Sequence, residues 1–265
     1  MAATSARLTT LTRLGFAARG LLYGVVATLV LQTGRSEDLA GALGYLEQGG
    51  GRLLLGAMAL GLIAYGVWRL SDAAFDLGRH GTDGSGIRAR LGSAFSGTSH
   101  LLLAWQAIRL VRGLGASNGN SSKEYTSKAL AIPGGDYVVI GVGVIVLAVG
   151  IMQLGKAAKG SFLDHLDSRV AGEAWALWSG RLGYAARGVV FMIIGFFLVR
   201  AGWAESAGKV GGMAEALAWL NSPWNLVIAA GLLAFAMFSF IEARFRVLPE
   251  MGAGNLGREL RAKLQ

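Results

Sequence analysis

Arg13-Leu14-Gly15-Phe16-Ala17-Ala18-Arg19-Gly20 returns as Arg181-Leu182-Gly183-Tyr184-Ala185-Ala186-Arg187-Gly188. Each copy opens an apolar stretch. The first stretch follows Arg7 and Arg13 and has the outward look of a secretory signal. The second copy lies deep in the chain and cannot be a cleaved leader, so the first copy is expected to be a retained helix.

Working outward, a third and diverged copy begins at Arg90-Leu91-Gly92 and places Gly97 where Gly20 and Gly188 stand. A connector with a short helical signal follows each opening stretch: Ala42-Leu43-Gly44-Tyr45-Leu46, Lys128-Ala129-Leu130-Ala131-Ile132 and Ala216-Leu217-Ala218-Trp219-Leu220. Each connector breaks at glycine or proline, at Gly49-Gly50-Gly51, Pro133-Gly134-Gly135 and Ser222-Pro223, before a second apolar stretch. Gly61-Leu62-Ile63-Ala64-Tyr65-Gly66 in the first copy matches Gly231-Leu232-Leu233-Ala234-Phe235-Ala236 in the last.

Six stretches approach the length that crosses a bilayer core, about 20 residues: Leu14–Gln32, Leu53–Leu70, Ser93–Val111, Tyr137–Leu154, Leu182–Arg200 and Trp224–Ile241. In hydrocarbon a backbone must satisfy its own hydrogen bonds, and none of these stretches alternates as a barrel strand would, so each is expected to be a helix. The expected architecture is all-α and polytopic: six transmembrane helices arranged as three helical hairpins, over residues 10–76, 88–162 and 178–246, with short amphipathic helices on the outer side. This pattern resembles the bacterial membrane family catalogued as domain of unknown function 1206, over about residues 10 to 246. The two Arg-Leu-Gly-aromatic-Ala-Ala-Arg-Gly openings and the Ala-Leu connectors carry the resemblance, and the middle copy departs from it where Ser96 replaces the second arginine. The resemblance implies a membrane fold and supplies no activity and no functional residues.

Composition agrees. Of 265 residues 53% are apolar and 15% charged, against roughly 25% charged in an average soluble domain. Mean hydropathy is +0.49. The absence of cysteine excludes disulfides, thiolate metal sites and thiol nucleophiles. The net charge of +9 invites a nucleic-acid reading, but the basic residues flank apolar runs, as in membrane proteins, and no nucleic-acid partner is expected. If the first stretch starts inside, about two-thirds of the 25 Lys and Arg fall on the side of the termini and of the second and fourth connectors. A bacterial inner membrane location with both termini cytoplasmic follows.

Charge inside hydrocarbon is expensive enough to mark candidate sites. Arg19 and Arg187 lie well inside their stretches, while Asp72 and Glu242 occupy matching places at the inner ends of the second helices. The middle copy has Ser96 and Lys156 there instead, so arginine and acid come and go together. Arg19–Asp72 and Arg187–Glu242 are therefore expected as ion pairs within a hairpin. Snorkelling of the arginines and a local Glu242–Arg246 pair are the simpler readings. In the third stretch Ser93, Ser96 and His100, flanked by Ser99 and Gln106, share a helical face expected to turn inward, with Leu101, Leu102 and Leu103 set partly toward lipid or neighbouring helices. His100 stands where the other copies have Tyr23 and Phe191; it is either a hydrogen-bonded interior residue or part of a proton path.

No phosphate loop, metal-binding histidine pair or nucleophile turn is present. A bis-histidine haem site lacks a partner for His100, since His80 and His165 fall in connectors, and Asp164, His165 and Asp167 read as a solvated loop rather than a metal site. No cofactor, metal or enzymatic activity is expected. Two readings of function remain: a non-catalytic module that contacts membrane lipids, other membrane proteins or its own copies, or a small transporter or channel using the polar third helix.

Overall fold

A computed structural model describes residues 2–33, 39–48, 51–76, 81–114, 121–210 and 212–247. Within them the chain forms helices α1 (Ala2–Thr33), α2 (Leu39–Gln48), α3 (Arg52–Phe75), α4 (Gly84–Val111), α5 (Ser121–Leu130), α6 (Gly135–Lys159), α7 (Ser168–Ala171), α8 (Ala174–Trp203), α9 (Met213–Trp219) and α10 (Trp224–Phe245). Among the described residues no strand forms beyond one antiparallel bridge between Leu166 and Arg246. His80 and the tail basic residues Arg258, Arg261 and Lys263 lie outside the described residues.

Five helices are long and apolar enough to cross a membrane: Thr12–Gln32 of α1, Arg52–Phe75, Gly135–Lys159, Ala174–Trp203 and Trp224–Phe245. They mark the chain as membrane-embedded. Their faces away from the bundle keep large apolar side chains exposed, among them Leu60, Val142, Ile151, Phe196 and Val227. Exposed tryptophans stand at both ends of α8, Trp175 and Trp178 at its start and Trp203 at its close. At 1.5 Å per residue Trp178 and Trp203 are about 37 Å apart, the separation of two headgroup belts. The remaining long helix, α4, falls short in hydropathy because Ser93, Ser96, Thr98, Ser99, His100 and Gln106 all lie in it. It begins where the Asp83 side chain accepts from Gly86 N at 2.9 Å, a fixed cap. The Ser85 hydroxyl and the Gly86 amide hold that carboxyl below the usual range.

The packing is not organised hairpin by hairpin. The most extensive contacts are α3 on α4, α6 on α8 and α10 on α1. In each, the second helix of one copy meets the first helix of the next, and the last copy returns to the first, so that the helices curl into a ring. The three contacts repeat one geometry. A Cβ added at Gly97 would lie 2.9 Å from Gly66 O, at Gly188 3.0 Å from Gly150 O, and at Gly20 3.0 Å from Ala236 O. Backbones this close exclude any side chain, which is why the recurring glycine closes each opening motif.

Contacts inside a copy are weaker and unequal. α1 packs on α3 through Gly15, whose added Cβ would lie 2.4 Å from Tyr65 Cβ, and α8 packs on α10 through Gly183, 2.6 Å from Phe235 Cα. In the middle copy Gly92 meets only Met152 Cε, at 3.5 Å, and α4 barely touches α6. The cause is legible: where copies one and three have Gly61 and Gly231, the middle copy has Ile145, a branched residue that is 55% exposed. The ring therefore has a seam between α4 and α6. The short helices α2, α5 and α9, each between the two long helices of a copy, stand at the end away from the start of α1, with Leu43 of α2 and Leu217 of α9 fully buried and Tyr45 and Trp219 exposed.

Candidate functional site

The charged residues of the spans gather toward one end of the bundle, and at each of the three crossings the repeat places one residue from a first helix beside one from a second. At α1·α10 these are Arg19 and Glu242. Arg19 is 4% exposed; its Nη2 donates to the Glu242 carboxylate, its Nε to Ser239 Oγ at 3.1 Å and its Nη1 to Tyr65 OH at 3.1 Å. Ser239 Oγ donates onward to Phe235 O at 2.8 Å. The guanidinium lies against the rings of Phe16 and Phe235, 4.9 Å from each centroid. Glu242 accepts a second arginine, Arg246, one turn further on.

The α3·α4 crossing uses an acid and a hydroxyl. Ser93 Oγ donates to Asp72 Oδ2 at 2.8 Å, and Arg69 Nη1 stands 3.7 Å from the same oxygen. The expected pairing is thus corrected. Arg19 pairs with Glu242 rather than Asp72, and Arg187 does not pair with Glu242. The physical reason is the ring: a copy's first helix has its closest partner in the preceding copy. Of the simpler readings, the local Glu242–Arg246 pair is present.

At α6·α8 the pattern breaks. Arg187 is 8% exposed and rests on Phe235, Phe191 and Tyr23, at 4.5, 5.0 and 5.3 Å from the centroids. Its Nε is buried with no hydrogen-bond partner. The position that holds the acid elsewhere is Lys156.

On the polar face of α4, Ser93 and His100 are buried while Ser96, Ser99 and Gln106 are half-buried. Leu101 packs over Gly66 and Leu102 stays exposed. His100 Nδ1 lies 2.7 Å from Ser96 O, so that nitrogen carries the proton, and the ring packs 4.5 Å from Tyr65. Ser99 Oγ donates to Phe95 O of its own helix at 2.8 Å. His100 thus fills the aromatic slot of its repeat as a packed residue. Among the described residues no three of His, Asp and Glu converge as a metal site.

The family model described as Domain of Unknown Function (DUF1206) matches this chain three times, over residues 14–76, 91–160 and 182–246. The chain belongs to the DUF1206 family. It is 30% identical to an uncharacterised protein of Bacillus subtilis (strain 168), YxxB, over 249 residues, or 88% of this chain and 90% of that protein. No solved structure matches.

In this DUF1206 chain, sequence reasoning missed Tyr65, Ser239 and Phe235, which form the cage around Arg19. Tyr65 was the findable one, because it is the hydroxylated counterpart of Phe235 at a position facing the repeat's arginine. The connector after α6 also ties back to the bundle. Asp167 N donates to Phe245 O and Val247 N to His165 O, both at 2.9 Å, and Asp167 Oδ1 caps Arg169 N. His165 stands beside the end of α10; partial loss of solvent there first, then Arg246, lowers its ring pKa to about 4, against the pull of Glu242 and Asp164. The unfolded chain takes up this proton near pH 6.5, so it gains protons before the fold does. Stability present above pH 6.5 is expected to be lost between pH 6.5 and 4, by about 1 kcal/mol given solvent screening. Thermal unfolding of His165→Gln should be flatter over that window than wild type.

Proposed function

We propose that the chain is a non-catalytic membrane module of the bacterial inner membrane, which contacts lipids, partner membrane proteins or its own copies through its outer faces. We read α4 as a sixth crossing, since it runs antiparallel along α3 through the Gly66–Gly97 contact, and we place both termini in the cytoplasm on the excess of basic residues at that end. One observation carries the module reading: the acids that ion coupling would need are already committed. Glu242 is held by two arginines and Asp72 by Ser93 and Arg69, and aromatic and aliphatic side chains such as Phe16, Leu22, Leu62 and Phe235 fill the space beside them. A carboxylate locked this way does not load and release a cation during a transport cycle.

The test is flux. Purified protein reconstituted in vesicles should pass protons, K⁺, Na⁺ and Cl⁻ no faster than protein-free vesicles. Saturable flux that His100→Ala abolishes would overturn the module reading in favour of a path along α4.

A further inference from the structure

The three crossings are equivalent in backbone and unequal in charge. At α1·α10 a first-helix arginine meets a second-helix glutamate, Arg19 with Glu242. At α3·α4 the first helix brings the serines Ser93 and Ser96, and the second helix balances Asp72 with its own Arg69. At α6·α8 the same two positions hold Arg187 and Lys156, two cations and no acid. Among the described residues neither cation has a carboxylate partner. The charges that act on Lys156 are Arg69, Arg187 and Arg246 together with Glu242, and Glu242 is occupied by Arg19 and Arg246.

Comparison with Arg19 shows that this crossing is unbalanced. A buried guanidinium gives up most of its hydration. Stacking on aromatic faces returns only part of that, and that return is already present at Arg19, which nevertheless has a glutamate and two hydroxyls as well. Arg187 has the rings alone, with Nε left unmet. On α6, Gln153, buried at the repeat position of Arg69 and Ser239, carries a neutral amide.

We propose that the α6·α8 crossing is an anion site, at which a phosphate group supplies the negative charge that Glu242 and Asp72 supply at the other two. A guanidinium presents paired N–H donors that match two oxygens of a phosphate, and an ammonium adds a third contact as a point charge. Position supports this chemistry. Lys156 stands in the last turn of α6, beside the seam where α4 leaves that helix uncovered, and Arg187, deeper in α8, leans its side chain back toward the same end, as helical side chains tilt toward the N-terminus. The phosphate comes either from an anionic lipid headgroup or from the aqueous phase. The assignment needs only the bundle geometry, and it stands whether or not the flux test upholds the module reading.

The experiment uses the full chain in an uncharged, phosphate-free maltoside detergent and follows thermal unfolding. One arm adds inorganic phosphate against chloride at equal ionic strength; the other adds phosphatidylglycerol to the micelles. Wild type should rise by about 5–10 °C when either probe stands near 100-fold its Kd. A response to phosphatidylglycerol alone assigns a lipid headgroup, and one to inorganic phosphate assigns a soluble ligand. Lys156→Glu builds the missing acid into the chain: it should melt higher than wild type without either probe and lose the response to both. Arg187→Gln and Lys156→Gln, which keep side-chain size without the charge, should each weaken the response at least tenfold in probe concentration. Wild type that responds to neither probe overturns the proposal. So does an equal response in wild type, Arg187→Gln and Lys156→Glu.

Discussion

Glu242→Ala is expected to leave little folded protein after extraction in mild detergent, whereas Arg246→Ala, which touches the same carboxylate, should lower stability by only about 1 kcal/mol. Glu242 is 1% exposed and joins Arg19 to Arg246. Without the acid, Arg19 keeps its full charge inside a cage of Phe16, Phe235 and Tyr65 with only two hydroxyls as partners. Leaving a buried charge unpaired in this way costs about 3–5 kcal/mol, a large share of a typical domain's stability. Arg246 is the more exposed partner and its loss still leaves Glu242 paired. The sharper test is the cycle. Replacing both members by apolar residues of similar size, Arg19→Met with Glu242→Met, should recover most of what either single change loses, because the cost lies in the orphaned charge rather than in the absent bond. Arg187→Met should show no such recovery with Glu242→Met. Additive losses for Arg19 and Glu242 would show that the pair does not hold α1 to α10.

That pairing marks where sequence reading stopped. The repeat was plain along the chain, and with it came the long helices, the short Ala-Leu helices and the four charged positions Arg19, Asp72, Arg187 and Glu242. All of these follow from composition and spacing, which act locally. The partners did not follow, because equivalent residues in a repeat are related by symmetry and not by contact. Arg19 and Asp72 sit in one copy, yet the α1·α10 crossing brings Arg19 against Glu242 from the far end of the chain. The same arrangement explains the middle copy. Ser96 and Lys156 read along the chain as an ion pair lost as a unit. In space they belong to different crossings, and the loss leaves one crossing with an acid balanced by a neighbouring arginine and another with two cations. The replacement of Gly61 and Gly231 by Ile145 was also visible, but its consequence, an open seam, depends on knowing that this position is where the two helices of a copy cross. On the polar face of α4, Ser93 and His100 are buried. Ser99 bonds back to its own helix, so its polarity is spent locally.

Gly188→Leu should be severely damaging, and the comparison with the equivalent glycines tests how the three copies are joined. A Cβ at Gly188 meets Leu154 Cδ2 at 2.7 Å and Gly150 O at 3.0 Å. The leucine end could swing away, but the carbonyl belongs to the backbone of α6, so α6 and α8 must separate along their whole contact. Overpacking of this kind costs about 1–3 kcal/mol for an added methylene or two, and a full leucine should exceed that range. Gly97→Leu faces the same obstruction from Gly66 O, and Gly20→Leu from Ala236 O. Gly24→Ala, one turn along from Gly20, is the control. Its Cβ meets Ala236 Cβ at an ordinary 3.7 Å, and removing a glycine from a helix interior gains about 0.5–1 kcal/mol, so it should be neutral or stabilising. The informative comparison is Gly20 with Gly97 and Gly188. The last two lie between neighbours in the chain, whereas Gly20 lies where the third copy returns to the first. If thermal unfolding in detergent places all three substitutions within about 1 kcal/mol of one another, the α1·α10 crossing carries as much of the fold as the other two and joins the first copy to the last. A mild Gly20→Leu beside severe Gly97→Leu and Gly188→Leu would instead mean that α1 does not pack on α10, and the cage around Arg19 would have to be abandoned with it.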